Sequence, residues 1–278
     1  MPAAPLPPAV RAFDALAPAF DDRFAPWRSV AAQRRAVRRE LVRVFPEGSH
    51  LLELGGGTGE DALYLASVGR RVTLTDGSPE MVARASAKAE EAGLRDRIET
   101  SCVVIEELSR FAKGRGPDAP RFDGCFSNFA SLNCVEDLGQ VGLALATLLP
   151  PGAHALLVVF GPFSPGEILV LAARGQFRSA FRRFHRGPVA ARVSGREFSV
   201  RYPRPREVER AFSPYFRLRR VRGVGVAVPP SSAEPGISRF PRLVSVLEGL
   251  DRVLSAPLGR LGDHVLLDFE RTDEEVAG

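Results

Sequence analysis

Five consecutive residues, Gly55-Gly56-Gly57-Thr58-Gly59, restrict what this chain can become more than any other feature. They separate a short apolar run, residues 50–54, from a helical pattern over residues 60–68. Glycines at 55, 57 and 59 permit positive φ angles and let a ligand approach bare backbone. The helix starting beside Gly59 turns its free N–H groups toward the same place, so the segment reads as a strand-to-helix corner that binds an anionic group. Such a corner needs a parallel sheet behind it, and the remaining pattern supplies one. Strand-like runs at 71–75, 98–104, 122–127 and 153–160 alternate with helical runs at 79–92 and 135–148. Short gaps between them predict a doubly covered parallel sheet.

The spacing of the glycines narrows the ligand. A dinucleotide fingerprint places its third glycine one position later, where this chain has Glu60, an acid that would face a pyrophosphate. An amino-acid carboxylate makes a smaller demand, which favours a cofactor carrying an amino acid. Asp76 closes the second strand seventeen residues after Gly59. A carboxylate there can accept hydrogen bonds from both hydroxyls of a ribose. Gly77 follows, then Ser78 and Pro79 as N-cap and first residue of the next helix. Met81, one turn in, lies either against an adenine face or in the helix core.

The runs Leu51-Leu52-Glu53-Leu54-Gly55-Gly56-Gly57-Thr58-Gly59 and Val72-Thr73-Leu74-Thr75-Asp76-Gly77-Ser78-Pro79-Glu80-Met81 resemble those of class I S-adenosylmethionine-dependent methyltransferases, closest to the small-molecule and quinone-type branch. Phe13-Asp14-Ala15-Leu16-Ala17-Pro18-Ala19-Phe20-Asp21 is similar to that branch's cofactor-covering helix, with Phe13 and Phe20 where tyrosines are usual. The likeness spans residues 10–160 well and the last strands loosely. It implies an α/β, Rossmann-like seven-stranded methyltransferase sheet with the last strand antiparallel, helices on both faces and an inserted helical lid. It implies S-adenosyl-L-methionine as cofactor, S-adenosyl-L-homocysteine as product, and Glu53 placing the methionine amino group. The cofactor residues expected are Phe20, Glu53, Gly55, Gly56, Gly57, Thr58, Gly59, Asp76, Gly77, Met81, Ile105, Glu106 and Asn128. The family often has an acid just after the third strand for the adenine amino group; this chain has Val104 there. The backbone at Ile105 or the side chain of Glu106 is then the substitute.

Four segments follow: 1–45, N-terminal helices over the cofactor; 46–160, the binding core; 161–212, a basic lid; and 213–278, strands and a helix completing the sheet. The N-terminal helical runs are 9–20 and 29–45. The lid reads as a basic helix, a Gly-Pro break and a short strand, with a helix at 205–212. Late strands are expected at 216–228 and 264–270, flanking a helix at 240–258.

Methyl transfer asks mainly for positioning, so neither a metal nor a catalytic triad is expected. An oxygen or nitrogen nucleophile can still need a base. The fourth strand runs into Asn128 and Asn133, each either an acceptor-orienting group or a helix cap. His154 falls in the apolar fifth strand and reads as core, while His50 and His264 open the first and last strands. That leaves His185 in the lid as the histidine candidate for general base, with Tyr202 in the same segment. The catalytic candidates are therefore Asn128, His185 and Tyr202. The Asn-Pro-Pro-Tyr signature of exocyclic-amine methylation is absent, which disfavours DNA bases and glutamine.

Composition enters through charge. The net +5 is confined: residues 174–206 hold ten arginines and one acid, Glu197, and the remainder sums to −4. Phe177, Phe181 and Phe184 recur at helical spacing beside Arg174, Arg178 and Arg182, predicting an amphipathic lid helix over 168–186. Three readings stand: a solvated face with packed phenylalanines, arginines that recognise an acidic acceptor, or a peripheral membrane contact. Nucleic acid is disfavoured, since a basic segment alone gives only electrostatic attraction. Cys102, Cys125 and Cys134 are odd in number and lack CxxC spacing, which points to buried core thiols, a reducing compartment and a cytoplasmic protein. The opening Met1-Pro2-Ala3-Ala4-Pro5 has no secretory character, and Pro150-Pro151-Gly152 divides the uncharged run 141–163 too early for a membrane span. A small-molecule acceptor is the expected partner.

Overall fold

The computed structural model describes residues 5–116 and 119–276; Met1-Pro2-Ala3-Ala4, the start of the proline-rich opening, lies outside them. Three helices come first: α1 (Pro8–Leu16), α2 (Phe20–Phe24) and α3 (Arg28–Val44). Then strands and helices alternate as β1 (His50–Leu54), α4 (Glu60–Ser67), β2 (Arg71–Asp76), α5 (Pro79–Glu91), β3 (Ile98–Cys102) and α6 (Leu108–Gly114). β4 (Gly124–Ser127), α7 (Leu138–Leu148) and β5 (His154–Phe160) complete the parallel half. The strand order β3-β2-β1-β4-β5 is parallel throughout.

The inserted segment carries α8 (Pro165–Ala173), α9 (Phe177–Ala180), β6 (Val189–Val193) and β7 (Arg196–Val200). The chain returns through α10 (Pro205–Phe212), β8 (Phe216–Val224), α11 (Pro241–Leu254) and β9 (His264–Arg271). β9 lies antiparallel between β5 and β8, which gives the expected seven-stranded sheet with its last strand reversed.

Alternating side chains of the sheet feed two apolar layers. Leu156 and Val158 of β5 face Val37, Leu41 and Leu65 on α3 and α4. Leu157 and Val159 face the layer of Leu145, Val208 and Phe212 on α7 and α10. This burial on both faces explains the near-continuous apolar character of β5. The C-terminal ends of the parallel strands form one edge of the sheet, where ligands of open α/β folds bind. A hollow of about 370 Å³ at the opposite edge, lined in part by Phe45, Asp123 and His154, is remote from the glycine turn.

Several boundaries differ from the sequence-based expectation, the lid most of all. The continuous helix over 168–186 does not form. Arg174 leaves helical geometry, Gly175 takes φ +70°, and only a four-residue helix and a 3₁₀ turn at Arg182–Phe184 follow. The expected single short strand is a hairpin, because Ser194 and Gly195 both adopt positive φ (+49° and +75°) and turn the chain back in two residues. β3 stops at Cys102, where the Val103 N–H already donates to Asp76 O at 2.9 Å. His154 is half-exposed, with Nδ1 2.6 Å from Asp268 Oδ1, and so is not the core residue expected. Cys125 is buried, but Cys102 is exposed and Cys134 intermediate. Among the described residues no helix is long and apolar enough to cross a membrane, and no group of His, Cys, Asp or Glu is arranged to hold a metal.

Candidate active site

The glycine corner sits at the C-terminal end of β1. Gly55, Gly57 and Gly59 all have positive φ (+65°, +56° and +82°). At Gly57 a Cβ would meet nothing within 4 Å, so bare backbone borders open space there. Gly56 is glycine for a different reason: a Cβ would stand 2.6 Å from Leu74 and 2.8 Å from Glu53. Asp76, at the end of β2, is held by two backbone donors. Gly57 N–H reaches Oδ2 and Ser78 N–H reaches Oδ1, each at 2.8 Å. Burial pushes its pKa up, while these two donors hold it back. Ser78 caps α5 by accepting from Met81 N–H at 3.1 Å, with Pro79 at the first helical position.

The N-terminal helices lie over this corner, and two aspartates fasten them. Asp14 of α1 accepts from Ser78 Oγ at 2.7 Å and from Glu80 N–H at 3.1 Å. Asp21 of α2 accepts from Thr58 Oγ1 at 2.7 Å and from Lys88 Nζ at 3.0 Å. Lys88 also reaches Glu60 at 2.5 Å. In the pairs Phe13-Asp14 and Phe20-Asp21 it is the acid that bonds to the corner. Phe20 is half-buried and packs on Phe24 at 4.8 Å.

At the other end of the corner lies a polar group that sequence reading missed. Asp61 of α4 is buried and receives Arg38 Nε at 2.7 Å, Arg34 Nη1 at 3.4 Å and Asn128 Nδ2 at 2.8 Å. Arg34 also lies over the Phe129 ring at 4.7 Å. Glu53 is 2% exposed, and its Oε2 has no hydrogen-bond partner among the described residues. Burial, with Asp61 adding, raises its pKa well above the ordinary carboxylate range. An orphaned buried carboxyl oxygen is costly, and an ammonium group would supply the missing donors. The bare turn, the ribose-type carboxylate and this oxygen together fit a cofactor with amino-acid and nucleoside ends.

The remaining expected residues fall unevenly. Ile105 is half-buried beside the turn, its Cδ1 3.7 Å from where a Gly55 Cβ would stand; Glu106 is exposed. Val104 and Val10 flank Gly77, and Met81 is buried in α5. Asn128 directly follows β4, with its amide turned inward. Its Nδ2 serves Asp61 and its Oδ1 accepts from Phe129 N–H at 2.8 Å. Asn133 is a clasp rather than a cap. It bonds Phe160 N–H at 2.9 Å and Arg201 O at 2.6 Å, tying β5 to the lid hairpin. Tyr202 stands beside the β5 end, its ring 6.2 Å from Phe160 and its hydroxyl accepting from Arg182 Nε at 3.1 Å. His185, the histidine candidate for general base, is exposed, with Nδ1 accepting from Gly187 N–H at 3.1 Å in its own loop.

The histidine at this edge is His264. Its ring stacks on Phe160 at 4.4 Å and meets Phe129 edge-on at 5.6 Å. It is buried, and neither ring nitrogen has a hydrogen-bond partner among the described residues. Burial lowers its pKa to about 4; Asp263 opposes that shift and Arg183 adds to it. Because the folded pKa lies below the unfolded value near 6.5, the unfolded chain binds more protons between the two. Stability from this group is therefore complete above pH 6.5 and is lost as pH falls toward 4, by about 3 kcal/mol in all. Urea unfolding of the protein and of His264→Gln across that window checks it. Equal slopes against pH in both would remove His264 from the account.

Phe129 and Ala130, directly after β4, take φ +50° and +65° without being glycine, a strained turn at the point where the strand order reverses.

Residues 51–152 match the sequence family described as a methyltransferase domain. No curated protein matches the chain. Among solved structures, DhpI in complex with SAH is 19% identical, with TM-score 0.56, 96% of this chain and 97% of that chain covered. Geranyl diphosphate C-methyltransferase from Streptomyces coelicolor A3(2) is 15% identical, with TM-score 0.53 and coverage of 86% and 77%. The SpnF cyclase is 17% identical, with TM-score 0.53 and coverage of 85% and 81%. At these identities the likeness concerns the fold. The family match lies over the glycine corner and Asp76, and it sits within the strand order just described. Residues 51–152 are thus a methyltransferase domain, set in the seven-stranded Rossmann-like sheet that the chain shares with S-adenosylmethionine-dependent methyltransferases.

Proposed function

We propose that the enzyme methylates a small or medium organic acceptor held at the β4–β5 edge under the lid hairpin. The observation that carries this is the cluster of aromatic side chains at that edge. Phe129 and Phe160 stand there with Tyr202 beside them, and Tyr202 belongs to the apolar group in which Phe13 of α1 packs on Phe198 of β7 at 5.8 Å. A site lined by aromatic side chains with a few polar groups beside them suits a compact organic molecule. The geranyl diphosphate enzyme of the same fold acts on a compact acceptor, which is in line with the reading.

The cofactor supplies an electrophilic methyl group and a good leaving group. The chain's own residues hold and orient. Asp76, preset by Gly57 and Ser78, accepts from ribose hydroxyls; the Gly55–Gly59 backbone receives the amino-acid end; Glu53 takes the ammonium. Arg34, paired with Asp61 at the longer distance of 3.4 Å, is the cation for the carboxylate of that amino acid. Fixing donor and acceptor in line supplies roughly 7–11 kcal/mol of the barrier.

Glu53 makes the donor site testable. Its raised pKa favours the protonated form in the free enzyme, and a bound ammonium favours the ionised form, so binding releases a proton. Calorimetry of S-adenosylmethionine in two buffers of different ionisation enthalpy is expected to show that release, and Glu53→Gln to abolish it. Absence of cofactor binding by folded protein would sink the donor assignment. For the acceptor, incubation with methyl-labelled cofactor and small-molecule extracts is expected to label compounds of low mass; label found only in macromolecules would overturn the proposal.

A further inference from the structure

Among the described residues, the large apolar side chains that stand well out in solvent fall in two stretches, 169–184 of the lid and 240–258 around α11. α11 is apolar on its outer side as well as its inner one, where Val244 packs with Ala32, Val228 and Leu247. Its inward side carries Glu248, bonded to Arg35 at 2.7 Å, and Asp251, which accepts from Gly225 and Ala227 N–H at 3.2 and 2.8 Å. Its outward side carries Leu243, Val246, Leu250 and Val253, at three- and four-residue intervals that place them on one face. Val246 is 61% exposed and Val253 72%. The lid likewise buries charge and exposes apolar groups: Glu167 and Arg183 are buried together, while Phe177, Phe181 and Phe184 are more than half exposed. The two stretches adjoin, since Arg174 Nη1 donates to Ser232 O at 2.6 Å in the connector leading to Phe240 and α11.

Charge selects the occupant of this face. The acids Glu167, Glu248 and Asp251 all point inward, so among the described residues 165–186 and 239–254 the exposed charges are all arginine. They are Arg174, Arg178 and Arg186 on the lid and Arg239, Arg242 and Arg252 beside the stripe. A two-fold contact with a second copy would set these arginines against their own equivalents, with no acid to relieve them. A lipid leaflet with anionic headgroups satisfies both features, taking apolar side chains into the acyl boundary and pairing phosphates with guanidinium groups. We propose that the outward face of α11, with the adjoining lid aromatics, docks the enzyme on an anionic membrane surface. Nothing in this depends on the identity of the methyl acceptor.

The test is sedimentation of the full chain with phosphatidylcholine vesicles, with and without phosphatidylglycerol. Binding to the anionic vesicles alone, weakened by salt, is the expected result. Val246→Ser/Leu250→Ser and Phe177→Ser/Phe181→Ser should each lower the partition coefficient about tenfold, while far-UV circular dichroism and cofactor affinity stay unchanged. Should either pair fold poorly, Arg242→Gln/Arg252→Gln is expected to reduce the anionic partition without affecting neutral vesicles. Equal binding to both vesicle types, no binding, or variants that sediment as the parent does would overturn the proposal. So would a dimer in sedimentation equilibrium that Val246→Ser/Leu250→Ser converts to monomer, since the face would then belong to a second copy.

Discussion

Arg183→Met is expected to cost about 3–5 kcal/mol of folding free energy, the loss typical of removing one partner from a buried ion pair. Arg183 joins the lid to the sheet. Its Nε donates to Glu167 at 2.6 Å, its Nη2 to Asp263 Oδ1 at 2.6 Å and its Nη1 to Asp263 O at 2.7 Å. The guanidinium also lies over Phe160 at 4.9 Å, so its plane is held as well as its charge. Burial opposes the charge on Asp263, but His264 and Arg183 hold its pKa below the usual carboxylate value. Without Arg183, two carboxylates with side chains 5% and 2% exposed keep only part of their pairing, from Arg182 and Gln33. Urea unfolding of the variant beside Arg178→Met measures the difference, because exposed Arg178 should cost less than about 0.5 kcal/mol. Similar midpoints for the two would show that the lid is not anchored there. The same geometry settles the fate of two lid arginines: Arg182 and Arg183 are engaged with Glu167, which removes them as free contacts for a substrate or a membrane.

The second large effect concerns the donor. Asp76→Ala is expected to weaken S-adenosylmethionine binding by about 1.5–3 kcal/mol, or roughly 10- to 150-fold. Two losses combine in it. The ribose hydroxyls lose a charged acceptor, and the Gly57 and Ser78 N–H groups that preset the carboxylate lose theirs. Asp76→Asn should fall between, since its carbonyl oxygen still accepts from one of the backbone donors. Calorimetry with the cofactor reads both variants, and an unchanged affinity for Asp76→Ala would place the ribose elsewhere.

The donor side of this enzyme is legible in the sequence because its parts are contiguous or regularly spaced. Strand, glycine turn and helix occupy residues 50–67 without a break, and Asp76 lies at the matching point of the neighbouring strand, Leu54 pairing with Thr75. The polar cluster around Glu53 was not legible. It draws Arg34 and Arg38 from a helix before the sheet, Asp61 from α4 and Asn128 from the turn after β4. The fastening of the cover was half visible, as a repeated Phe-Asp pair whose aromatic member attracted notice while its acid made the bonds. His264 gave no signal beyond its place at the head of a strand, and only its neighbours Phe129 and Phe160 locate it at the C-terminal edge of β4 and β5.

The lid marks the division most clearly. Its cationic and aromatic composition is a property of the sequence, and so are the glycine corner and the parallel sheet it requires. Which of its arginines face water is decided by partners as far away as Asp263, 80 residues along the chain from Arg183. The outward stripe of α11 is likewise invisible until Glu248 and Asp251 are found paired on the opposite side. Local backbone chemistry determines a turn and the cofactor it can hold, because the groups involved are neighbours in sequence. The direction in which an amphipathic segment faces depends on which buried charges find partners, and only tertiary contacts supply those.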